Sequence, residues 1–124
     1  NSAIKIFAIE NCYRAPPGVY FSFNNLTITV WVKYYSHRNW ARIFEIGFKN
    51  DLNHISNNFG FVISHGNSQK PFFGINGGIS EIISTITINS NEWHFLSVSL
   101  SGPNATLYIN STLNIQVNNF NTIS

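Results

Sequence analysis

The chain has 124 residues, enough for one domain with a core and too few for two. Hydrophobic residues make up 44% and aromatic residues 15%, which excludes a disordered chain, while charged residues make up only 10% where about 25% is usual. The net charge of +2 comes from seven Lys or Arg and five Asp or Glu, scattered without a basic run, so no nucleic-acid partner is expected. No apolar run is long enough to cross a bilayer, so membrane insertion is not expected either. Asn, present 19 times, takes over much of the work of solubility.

Residues 4–9, IKIFAI, are a first candidate strand, and residues 19–23 a second after the break at Pro16-Pro17-Gly18. Residues 26–35, LTITVWVKYY, alternate most strongly: Leu26, Ile28, Val30 and Val32 face one way, Thr27, Thr29, Trp31 and Lys33 the other. That period of two belongs to a sheet with one face on a core. Residues 42–48, RIFEIGF, and 59–64, FGFVIS, follow, with the polar stretch 49–58 read as a loop. Residues 71–76, PFFGIN, run into Gly77-Gly78, and residues 81–88 alternate weakly. The stretch 91–110, NEWHFLSVSLSGPNATLYIN, reads as a hairpin around a Gly/Pro/Asn turn, and residues 113–117 as the last strand. No sustained helical period appears anywhere. About nine short strands separated by Gly, Asn, Pro and Ser predict an all-β, antiparallel two-sheet sandwich of jelly-roll type over residues 1–124.

LTITVWVK, then Trp93-His94, a short turn and Leu107-Tyr108-Ile109-Asn110 resemble, in order and spacing, the strand motifs of laminin-G-like and concanavalin-A-like jelly rolls over about residues 19–117. The resemblance implies two packed antiparallel sheets and an extracellular recognition or adhesion role, in a family that holds lectins, laminin modules, pentraxins and glycosidases; fold alone leaves the function open. Two departures stand out. Asn110-Ser111 replaces the family's Asn-Gly turn, although Gly favours the positive φ of a type I′ turn and Ser does not. The family's closing strand is missing after Val117: either the sandwich is divergent or the boundary cuts through a repeating unit, and an unclosed sheet would leave an edge for another subunit or repeat to complete.

Family glucanases set acidic residues two apart on one strand. Here Glu10, Glu45, Asp51, Glu81 and Glu92 are far apart in sequence, and no enzyme activity is expected. His37, His54, His65 and His94 lack the spacing of a zinc site, and no G-x-S-x-G elbow occurs. Calcium, which the resemblance allows, would find Asp51 and Asn53 as its oxygen donors; a lone acid in an Asn-rich loop is more often only a turn former. For sugar stacking the candidates are Trp40 with Tyr35 and Asn39, and further Tyr34, Phe72 and Phe73, against the plain reading that aromatics fill the core.

Three N-glycosylation sequons, at Asn25, Asn104 and Asn110, fall at strand starts or turns and point to a secreted protein carrying N-glycans. The lone Cys12 then has no internal disulfide partner and reads as a free thiol, an intermolecular bridge or a small buried residue. The chain begins at Asn1 with neither Met nor a leader, as a part of a longer precursor would. Together these readings predict a non-enzymatic extracellular structural or adhesive module that pairs with copies of itself or other extracellular proteins through sheet edges, as a repeat of a fibrous assembly. The competing reading is a glycan-binding, lectin-like module.

Overall fold

The computed structural model describes residues 13, 16, 25–36, 38–49, 55–62, 64–75, 80–118 and 120. These form eight strands: β1 (Asn25–Val32), β2 (Arg42–Lys49), β3 (Ile55–Val62), β4 (Phe72–Ile75), β5 (Ser80–Ile83), β6 (His94–Ser101), β7 (Asn104–Ile109) and β8 (Thr112–Val117). They make two four-stranded antiparallel sheets, in the orders β1-β6-β7-β8 and β2-β3-β4-β5. The expected all-β sandwich is the observed fold. The candidate strands at residues 4–9 and 19–23, and Cys12, lie outside the described residues.

The alternation of β1 governs the first sheet. Leu26, Ile28, Val30 and Val32 pack against the core, while Asn25, Thr27, Thr29 and Trp31 are exposed. β1 pairs with β6 residue for residue from Asn25↔Ser101 to Val32↔His94, without a shift. The β6–β7 turn places Gly102 at φ 54 ahead of Pro103, the arrangement of a type II′ hairpin. The β7–β8 turn has Asn110 at φ 49 and Ser111 at φ 65, so the type I′ geometry survives the Gly-to-Ser departure. None of the residues of these four strands is Asp, Glu, Lys or Arg.

Between the sheets lie Phe61, Phe73, Ile75 and Ile82 from one side and Leu96, Val98, Leu100 and Leu107 from the other. Each such fully buried side chain contributes about 1.5–3 kcal/mol. Edge-to-face contacts link Phe44 to Phe61 and Phe61 to Phe73, and Phe73 stacks on Phe120. The backbone of Phe120 donates to Pro103 O at 2.7 Å, which holds that ring under the core.

The connections β1–β2, β3–β4, β5–β6 and β7–β8 gather at one end of the sandwich. Backbone bonds tie the first three: Trp40 N to Ser64 O, Ile88 N to Gln69 O and Asn91 N to Tyr34 O. Three expected boundaries move for local reasons. β1 stops at Val32, not at residue 35, because Tyr34 turns inward and donates its hydroxyl to Ile88 O. β3 starts at Ile55, paired with Lys49, so residues 55–58 belong to a strand and not to the loop. β5 ends at Ile83 because the Ser84 hydroxyl bonds the backbone of Ile86 at 2.7 and 3.1 Å, closing a local turn that competes with the ladder.

Candidate functional site

The outer face of the second sheet carries the candidate site, and strand register builds it. Glu45 pairs with Gly60, Gly60 with Gly74 and Gly74 with Glu81, so one row runs Glu–Gly–Gly–Glu across all four strands. The row faces away from the core, because Phe61, Phe73 and Ile82 beside it point inward. A bulge between Arg42 and Phe44 lets Ile43 and Phe44 both pack on the core and sets Glu45 outward. Two glycines side by side leave a low strip between Glu45 and Glu81; both glycines are buried, and the Phe72 ring fills the space over Gly74, so the trough is confined to the Gly60 side. A side chain added at Gly60 would meet nothing within 4 Å. One added at Gly74 would strike the Phe72 ring, its nearest atom 2.4 Å away, because that ring lies over the glycine. Arg42 Nε approaches Glu45 Oε2 at 3.6 Å, a weak, partly exposed ion pair that orients the carboxylate.

Three mutually touching rings close one end of the trough. Trp40 meets His65 at 4.7 Å and Phe72 at 6.0 Å, both edge-on, and His65 meets Phe72 at 5.3 Å. Trp40 holds φ 59, a backbone that a bulky residue adopts only at a strain of about 1–3 kcal/mol. Neighbours fix it there: Trp40 N donates to Ser64 O at 3.1 Å, and Arg42 Nη1 donates to Trp40 O at 2.8 Å. Ser64, fully buried, shapes the facing turn by donating to Gly66 O at 2.7 Å and accepting from Gln69 N at 2.9 Å. Trp40 remains 46% exposed, a rigid ring with an open side.

Of the stacking candidates read from sequence, Trp40 and Tyr35 are exposed, as is Asn39 in the turn before Trp40. Lys33 Nζ sits 5.7 Å from the Tyr35 ring centre. Tyr34, Phe72 and Phe73 are buried and cannot serve as exposed platforms: Tyr34 is tied to Ile88, Phe72 lies under Trp40 and His65, and Phe73 fills the core. Asp51 and Asn53, named for calcium, lie outside the described residues; the strand ends flanking them, Lys49 and Ile55, are at the end of the β2–β3 hairpin remote from Trp40. Among the described residues no three His, Cys, Asp or Glu side chains come together to hold a metal.

A laminin-G family model, described as the concanavalin A-like lectin/glucanases superfamily, matches residues 10–123. The chain belongs to this superfamily. No curated protein and no solved structure matches it. Laminin-G-like members of the superfamily are generally non-catalytic, though the superfamily also holds glycosidases. In this member the partners Glu81, Gly60, Gly74 and His65 are what reading the sequence missed. Only the paired patterns FGF and FGI, each with a glycine on the face opposite its large residues, hinted at the trough.

The row also bears on chemistry. Three strand spacings put the Glu45 and Glu81 backbones about 14 Å apart. Retaining hydrolysis needs its two carboxyl groups about 5–5.5 Å apart and inversion about 6.5–9.5 Å. Backbones this far apart place the two glutamates at separate points along the row rather than as neighbours on one strand.

Proposed function

We propose that this chain is a non-enzymatic extracellular adhesive module of lectin type, and that it holds an uncharged glycan in the trough between Glu45 and Glu81. The observation that carries the reading is the glycine-floored row capped by the strained, half-exposed Trp40. Gly60 leaves space above its backbone, carboxylates accept bonds from sugar hydroxyls, and an indole face takes the C–H face of a pyranose. Two carboxylates disfavour anionic glycans. An extracellular setting agrees with a family whose members are commonly extracellular, and with the three sequons. A glycan array probed with and without calcium tests it. The expected result is binding to uncharged oligosaccharides, weakened at least about tenfold in Trp40→Ala. The same array should show weaker binding by Gly60→Ala, whose methyl enters the trough floor. No binding to any glycan, or binding unchanged in both variants, contradicts it. Hydrolysis of a β-glucan that disappears in Glu45→Gln would overturn the non-enzymatic part.

A second reading, assembly with copies of itself through a sheet edge, is favoured by β1. Among the described residues β1 closes one edge of its sheet, and its eight residues hold no charge, proline or register shift. Those are the devices that normally block edge pairing. Light scattering at rising concentration should show association that Thr29→Lys abolishes; a monomer at every concentration sinks this reading.

A further inference from the structure

The outer face of the first sheet presents an aromatic band beside a sequon. Trp31 and Phe95 are directly paired across β1 and β6, with ring centres 5.2 Å apart, yet Trp31 is 64% exposed. Tyr108 faces the same side on β7 and is paired with Leu113, itself 53% exposed, on β8. The four strands carry no charge that would keep this band apart from other apolar surfaces.

Asn110 stands against this band. Its backbone N–H donates to Phe95 O at 2.7 Å, and its side-chain Oδ1 accepts from Phe95 N at 3.0 Å. The side chain thereby extends the β6–β7 ladder by one rung. Engaging Oδ1 fixes the carboxamide plane and leaves Nδ2, the atom that N-glycosylation uses, without a partner among the described residues. Asn110, Ser111 and Thr112 are all exposed, whereas Asn104 is half-buried within β7.

We propose that the N-glycan on Asn110 lies back over Phe95, Tyr108 and Trp31, so that its first N-acetylglucosamine covers the aromatic band. This rests on the secreted-glycoprotein reading above. Attachment forms the Nδ2–C1 bond as the sugar's bond to a lipid diphosphate donor breaks; Nδ2 gives up one proton and the diphosphate leaves with the bonding pair. The sugar enters at the β6 rung that carries Phe95, and its C–H face meets rings that already face outward. The glycan then does for an uncharged sheet what surface charges do elsewhere.

The test uses the chain secreted from a eukaryotic host. Trimming leaves one N-acetylglucosamine per site, and mass analysis reads occupancy. Thr112→Ala removes the sequon while keeping the Asn110 side chain in its ladder position. Thr27→Ala with Thr106→Ala removes the other two sequons and serves as the control. Nuclear Overhauser contacts between the sugar and the Phe95 or Trp31 ring are expected in the trimmed control protein. Thr112→Ala should lower the Tm and raise binding of a hydrophobic dye, and the Tm difference should vanish when Trp31→Ala is added. An occupied Asn110 with no sugar-to-ring contact and no change in dye binding overturns the inference alone. An unoccupied Asn110 overturns it as well, and empty sequons throughout would overturn the glycoprotein reading too.

Discussion

At the scale of single residues, this protein places strain where geometry demands it. Ser111 takes φ 65 in a two-residue turn that glycine would enter freely. Ser111→Gly is therefore expected to raise stability by about 1 kcal/mol, read by denaturant unfolding, while Asn110-Gly-Thr112 remains a sequon. Gly74 is the opposite case. A methyl there would meet the Phe72 ring at 2.4 Å, so Gly74→Ala must push that ring outward against Trp40 and His65. Overpacking of this kind costs about 1–3 kcal/mol, and the change should alter the near-ultraviolet dichroism of the tryptophans. Gly60 lacks any such neighbour, and Gly60→Ala should fold as well as the parent or slightly better, since a strand glycine gives up the most backbone entropy. The contrast between two glycines on one row separates packing from ligand access.

At the scale of elements, the loops around Tyr34 fix where β1 ends. The Tyr34 hydroxyl donates to Ile88 O, and its carbonyl accepts from Asn91 N at 2.7 Å, which joins the β1–β2 and β5–β6 connections. Burial, and secondarily the negative charge of Glu92, raise the Tyr34 pKa above the ordinary value of 10.0. The folded state thus favours the neutral phenol. Its contribution is whole below the unfolded pKa of about 10 and is lost as pH rises through the higher folded value. Tm should fall above about pH 10, and Tyr34→Phe should lessen that alkaline fall while losing about 1 kcal/mol at neutral pH. Elements were legible in the sequence wherever one face is apolar. The alternation of β1 and the β6–β7 hairpin could be read directly, because burial on one face imposes the period of two. The start of β3 could not, because ISNN carries no apolar alternation and joins the sheet only through its pairing with β2.

At the scale of the whole molecule, two sheets with opposite outer faces divide the work. One face is uncharged, bears the sequons at its strand ends and displays Trp31; the other bears carboxylates, glycines and Trp40. The core between them depends on side chains from both, and Leu107→Ala, at a fully buried position, should lose about 2–5 kcal/mol in urea unfolding. Little of the trough was legible in the sequence. Glu45 and Glu81 are separated by two strands, and only register brings them onto one row; the match of Gly60 to Gly74 is likewise a property of pairing and not of spacing. Trp40 was readable as a candidate from its polar neighbours, but its positive φ and its contact with His65 depend on a turn folded by Ser64. The central claim is that the glycine-floored face of the second sheet binds sugar. Titrating an uncharged oligosaccharide into isotope-labelled protein tests it most directly. Saturable shifts at the amides of Gly60 and Gly74 and at the Trp40 indole N–H are predicted, whereas shifts confined to Thr27, Thr29 and Ser97 on the opposite sheet, or none at all, would contradict it.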